Sequence, residues 1–110
     1  MSKYRAVRTN GYASKREANR AAELRLLEKA GVIANLEEQV SFDLLPGMAA
    51  IGCPRALRYE ADFRYLRKFE GMAIWDPTPV VEDAKGVRTP VYKIKKRLMR
   101  QLLGIEITEV

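Results

Sequence analysis

Val80-Val81-Glu82-Asp83-Ala84-Lys85-Gly86 is the stretch that decides the reading of this 110-residue chain. Two apolar β-branched residues run into an acid pair, a small residue, a lysine and a glycine, the pattern of a buried strand ending at a polar edge. Side chains alternate along a strand. Extended backbone through this stretch therefore places Asp83 and Lys85 on one face, about 7 Å apart, with Glu82 and Ala84 on the other. An acid and a base held this way are either an ordinary surface ion pair, worth little, or two parts of a reactive site. Two more acids bear on that choice: Asp62, in Tyr59-Glu60-Ala61-Asp62-Phe63, and Glu17, on the opening helix.

Working outward toward the C-terminus, Thr89-Pro90 opens a helix, with threonine as N-cap and proline at the first helical position, and Gly104 ends it. Val91, Ile94, Leu98 and Leu102 are expected to form its core stripe. Lys93, Lys96, Arg97 and Arg100 recur on another face with Lys95 nearby. Such a face is either solvated or met by something negative, because clustered bases without an intervening acid repel one another. Ile105 to Val110 is expected to close as a strand.

Toward the N-terminus, Leu57 to Leu66 alternates clearly: Tyr59, Ala61, Phe63 and Tyr65 take one face, and Arg58, Glu60, Asp62 and Arg64 the other. Asp62 is thereby expected outside the core. Glu70-Gly71 turns the chain, Met72 to Trp75 is expected to form or extend a strand with Trp75 packed, and Asp76-Pro77-Thr78-Pro79 breaks pairing. Gln39 to Leu45 reads as a half-buried strand through Val40, Phe42 and Leu44, ended by Pro46-Gly47; residues 48–55 read as an irregular connection.

Ser14-Lys15-Arg16-Glu17 is a capping box, and a helix is predicted from Ser14 to Ala30, stopped by Gly31, with Leu24 and Leu27 on its buried side. At 100° per residue Glu17 falls within about 20° of Leu24, so its carboxylate either closes the box or borders the buried side. Glu23, on the same helix, competes with it. Residues 1–13 read as a basic arm or hairpin around Asn10-Gly11, whose Lys3, Arg5 and Arg8 either contact phosphates or stay solvated.

Composition narrows the chemistry. The length suits one domain over residues 1–110. Without histidine, the commonest general base and every Ser-His or Cys-His nucleophile system are excluded. The single cysteine, Cys53, excludes an intramolecular disulfide and a Cys-rich zinc site. With oxygen ligands alone, a bound metal would be a hard cation, magnesium or manganese. A net charge of +6 suits a polyanionic partner, nucleic acid above all. Lacking an apolar run of about eighteen residues and a signal-peptide core, the chain is expected in the cytoplasm, not in a membrane.

The order helix, strands, D-x-K strand, helix, strand predicts an α/β fold, a mixed β-sheet flanked by two helices. Ser14-Lys15-Arg16-Glu17-Ala18, Leu36 to Leu45 with Gln39, Ala61-Asp62-Phe63, Glu82-Asp83-Ala84-Lys85-Gly86 and Tyr92-Lys93-Ile94-Lys95-Lys96 occur in sequence. Together they resemble a small phage-encoded family within the PD-(D/E)xK nuclease superfamily, akin to Holliday-junction resolvases. Ala61 stands where that superfamily often has proline, and Lys68 to Pro79 is longer than in close relatives. The resemblance implies a restriction-endonuclease-like sheet and a magnesium-dependent DNA endonuclease, in a phage-infected cell one that resolves branched DNA. It implies that Asp62, Asp83 and the Ala84 carbonyl hold the metal with help from Glu17. It also implies that Lys85 orients the attacking water and that Gln39 supports the site. Lys93, Lys96, Arg97 and Arg100, with the arm, would grip DNA, and symmetric cutting would need a homodimer. The alternative is a basic nucleic-acid-binding protein without catalysis.

Overall fold

In the computed structural model, residues 11–48, 52, 54–85 and 87–110 are described. The N-terminal arm with Lys3, Arg5 and Arg8 lies outside them, as do Cys53 and Gly86. The elements run α1 (Lys15–Lys29), β1 (Ile33–Leu45), β2 (Leu57–Arg67), β3 (Val80–Asp83), α2 (Pro90–Leu103) and β4 (Ile107–Glu109). The four strands form one mixed sheet in the order β1-β2-β3-β4. β1–β2 and β2–β3 pair antiparallel as a meander, and α2 carries the chain across to β4, which lies parallel to β3. The fold is α/β, with helices and strands in the order the sequence predicts.

Local chemistry explains the helix ends. The Glu17 N–H donates to Ser14 Oγ at 3.1 Å, and the chain leaves α1 through Gly31 at φ +77°, the left-handed region that favours glycine. The Tyr92 N–H donates to Thr89 Oγ1 at 3.1 Å to start α2. Between β1 and β2, Gly47 lies so close to Pro54 that a Cβ there would overlap the proline carbonyl, which only glycine avoids.

Two apolar clusters build the interior. One joins α1 to the sheet through Ala21, Leu24, Ile33, Phe63 and Tyr65. The other joins α2 to it through Tyr59, Ala61, Val81, Tyr92, Met99 and Ile107. Asp62 therefore sits between two residues that pack into different clusters, at the seam where neither helix covers it fully.

Four expectations are corrected. β1 begins at Ile33, ahead of Gln39, and passes through left-handed backbone at Asn35 and Gln39. Met72 to Trp75 is not a strand: its turn makes a single bridge, Lys68 to Trp75, and Trp75 is exposed with the Lys68 ammonium 5.1 Å from its ring centre. β3 ends at Asp83, so Lys85 stands on irregular chain and strand alternation does not place it. Finally, the α2 stripe faces outward: Val91 is 60 % and Ile94 59 % exposed, and only Leu98 of the four joins the core edge. Tyr92 and Met99, two turns apart, are the buried pair, because the crossover lays that side of α2 against Val81 and Ile107.

Among the described residues, no helix is long and apolar enough to cross a membrane.

Candidate active site

Adjacent strands bring two aspartates into a reciprocal clasp. The Asp62 N–H donates to Asp83 Oδ1 at 3.0 Å, and the Ala84 N–H donates to Asp62 Oδ2 at 2.9 Å. Asp83 is 0 % exposed, and its Oδ2 has no hydrogen-bond partner. A buried carboxylate oxygen left bare is costly, which suits a group whose partner is a water, an ion or a reacting molecule.

From α1, Glu17 enters the same region, only 6 % exposed. Its Oε2 accepts from Gln39 Nε2 at 2.9 Å, so the carboxylate is turned toward β1. Glu23 is exposed and pairs with Arg20 at 3.3 Å, which leaves Glu17 as the helix carboxylate of the site. Gln39 reaches it from left-handed backbone at φ +53°, a conformation that costs a non-glycine residue energy and marks positions held by their surroundings. Gly11, Tyr12 and Ala13 line a cleft of about 400 Å³ with Glu17, Gln39 and Asp62. The Lys85 ammonium lies 4.7 Å from the centre of the Tyr92 ring, close enough to the acids to act on all three.

All three acids hold their protons more tightly than ordinary carboxyls. Burial is the largest cause in each case. Asp62 and Asp83 then push Glu17 up further, while Lys85 pulls each of the three back. A carboxyl raised by folding contributes stability that is full below the ordinary carboxylate range and is lost as pH rises through the raised value. Glu109 behaves oppositely: Arg88 and Tyr92 hold it down to about 2, so its contribution is lost only as pH falls toward that value. In chelator, the melting temperature should therefore fall as pH rises above the ordinary carboxylate range, and magnesium should flatten that slope. A melting temperature that rises steadily over this range in chelator would refute the buried-acid account.

Among the described residues, no group of three or more His, Cys, Asp or Glu is already disposed as a metal site. The donor chemistry nonetheless fits a hard divalent cation: oxygen donors only, the carboxylates mutually repelling, with one oxygen of Asp83 buried and bare.

A family model described as "Protein of unknown function (DUF1064)" matches residues 1–106. The chain belongs to DUF1064. Comparisons with curated proteins and with solved structures return no match.

The structure of this DUF1064 chain gathers Glu17, Gln39, Asp62, Asp83, Ala84 and Lys85 into one region. It places Lys93, Lys96, Arg97 and Arg100 in a separate cleft of about 640 Å³ between α2 and β4. These bases are not without acids: Lys96 pairs with Glu109 at 3.1 Å, and Arg100 approaches Glu106 at 3.9 Å. The sequence reading missed three features of the DUF1064 chain. Glu82, 1 % exposed, accepts from Arg20 Nε at 2.8 Å and Nη2 at 2.7 Å, and from the Tyr65 hydroxyl. Tyr12 donates to Glu38 at 2.6 Å beside Arg25 on the rim of the acid cleft. Tyr92 lines the basic cleft, with Lys85 over its ring and its hydroxyl on Glu109 at 2.7 Å. Glu82 was legible in principle, since an acid inside a buried strand requires a cation, and Arg20 lies one turn after Glu17.

Proposed function

We propose that this chain is a metal-dependent nuclease that hydrolyses phosphodiester bonds in DNA. The observation that carries the reading is Asp83: wholly buried, clasped to Asp62, with a bare oxygen in a region shared by Glu17 and Lys85. The mixed sheet and element order support the likeness to PD-(D/E)xK nucleases.

Asp62, Asp83, the Ala84 carbonyl and Glu17 are the groups that would hold magnesium or manganese. When bound, such an ion supplies charge neutralisation at the phosphate and a more acidic water. Asp62 and Asp83 keep each other in place through backbone N–H groups, so their carboxylates cost little reorganisation. Gln39 fixes the rotation of the Glu17 carboxylate. Lys85, partly desolvated over Tyr92, presents positive charge to the phosphate and orients water. Lys93, Lys96, Arg97 and Arg100 hold the backbone without reading bases, so selectivity rests on DNA shape, with branched junctions the favoured substrate in phage recombination or replication. Two symmetric cuts require two copies, a homodimer on the junction. The setting is the cytoplasm of the host cell.

The larger of the two clefts is the basic one, which favours as second reading a nucleic-acid binder without catalysis. Labelled four-way junction, flap, duplex and single strand, incubated with magnesium or chelator, separate the two. Magnesium-dependent cutting of junctions above duplex, lost in Lys85→Ala, is the expected result. Binding without cutting in either magnesium or manganese would leave only the second reading.

A further inference from the structure

Four donor contacts converge on the carboxylate of Glu109. Arg88 Nε and Nη2 donate to Oε1 at 2.8 and 2.6 Å, while the Tyr92 hydroxyl and Lys96 Nζ donate to Oε2 at 2.7 and 3.1 Å. A guanidinium fork, an ammonium and a phenol aimed at one small oxyanion is the donor set by which proteins take a phosphate. The cradle opens into the cleft where Lys93 and Arg97 add positive charge. Arg88 is 59 % exposed and needs no partner to remain charged in solvent, so its hold on Glu109 can be exchanged.

Position ties this cradle to the acids. Glu109 is the register partner of Asp83 across β3 and β4, and Glu109 itself helps to raise the Asp83 carboxyl. Tyr92 contacts both sides of this link, its ring under Lys85 and its hydroxyl on Glu109.

We infer that Arg88, Tyr92 and Lys96 form a subsite for one backbone phosphate of nucleic acid, which the Glu109 carboxylate fills in the free protein and yields when DNA binds. This rests on the nucleic-acid reading above and adds to it a built-in competitor. Arg88 and Lys96 leave a carboxylate for a phosphodiester, so binding gains less than two free bases would give. Removing the competitor should tighten binding, whereas a purely structural Glu109 would on removal leave binding unchanged or weaken it.

The test is fluorescence anisotropy of labelled duplex and four-way junction, in chelator, over a range of potassium chloride concentrations. Glu109→Gln should bind about three- to tenfold tighter than the wild type, and its plot of log affinity against log salt should be steeper by about one unit. Arg88→Ala, on the exposed side of the cradle, should weaken binding about threefold and make the slope shallower by about one unit, even where Glu109→Gln perturbs folding. In the Arg88→Ala, Lys96→Ala background the gain from Glu109→Gln should vanish. The inference is overturned by a folded Glu109→Gln protein that binds no tighter than the wild type, by a gain that persists without Arg88 and Lys96, or by an Arg88→Ala slope equal to that of the wild type. Cutting with magnesium, measured on the same proteins, separates the two ideas. Cutting without these affinity changes removes the subsite and leaves the nuclease; affinity changes without cutting do the reverse.

Discussion

Asp83→Asn should abolish magnesium-dependent cutting while making the metal-free protein more stable. The carboxylate is fully buried, one oxygen is satisfied by the Asp62 N–H, and the other has no partner. Asparagine keeps the first acceptor and removes the buried charge, and its amide donates into surroundings made negative by Glu17 and Glu109. A gain of about 1 kcal/mol, a rise of several degrees in melting temperature in chelator, is expected. Loss of a ligand to the cation should cost several kcal/mol at the transition state, a fall in cutting of at least about a thousandfold. Asp83→Ala should lose activity equally but not gain stability, because the Asp62 N–H then loses its acceptor. Thermal melts in chelator and cleavage of labelled junction in magnesium give both numbers. An Asp83→Asn protein that cuts normally would end the assignment of this residue to the site.

Arg20→Ala carries the largest expected loss of stability. Glu82 is 1 % exposed and takes both arms of its charge from the Arg20 guanidinium, with the Tyr65 hydroxyl as third donor. Deleting the cation strands a carboxylate in the interior, which costs about 3 kcal/mol by urea unfolding. Burial and Glu82 push the Tyr65 hydroxyl up to about 12, so the tyrosine remains a neutral donor to Glu82, whose charge no hydroxyl can compensate as the guanidinium did. Adding Glu82→Gln to Arg20→Ala should recover more than half of the loss, since no unpaired charge remains. A loss below about 1 kcal/mol for Arg20→Ala, or no recovery in the double variant, would mean that the pair is not held in solution. The effect reaches the site. Arg20 lies one turn beyond Glu17, and Glu82 precedes Asp83, so this pair fixes the separation of α1 from β3.

The parts of this architecture readable in the sequence are those set by near neighbours. Ser14 with Gly31, and Thr89-Pro90 with Gly104, bound the helices through caps that need only a few residues each. The alternation of Tyr59, Ala61, Phe63 and Tyr65 survives as the buried row of β2 because a meander keeps each strand beside the next. Where the outcome depends on distant chain, the pattern misleads. Val91, Ile94 and Leu102 make the better apolar stripe on α2, yet Tyr92 and Met99 are buried because β4 docks on their side.

The candidate site divides the same way. Asp62 and Asp83 were legible as acids on two strands, and the structure sets those strands side by side. The choice between Glu17 and Glu23 was not, because it depends on which side of α1 meets Gln39, and Gln39 reaches Glu17 only from a backbone conformation that no pattern of glutamine announces. Lys85 is marked by its place in D-x-K, while the strand alternation that would set it on the face of Asp83 stops at Asp83. Glu109 stayed hidden because its partners come from the α2 approach and from α2 itself.

The pinch at Gly47 and Pro54 gives the protein a practical handle. Since those two positions already touch, the chain between them begins and ends at nearly one point, and lengthening it adds closure entropy that grows only with the logarithm of the added length. A reporter peptide or a fluorophore-bearing insert can be spliced there without prising β1 from β2. The splice lies about eight residues along the hairpin from Asp62, roughly 25 Å of extended chain, so labelled protein would keep its acids and its basic cleft unencumbered for imaging or immobilisation.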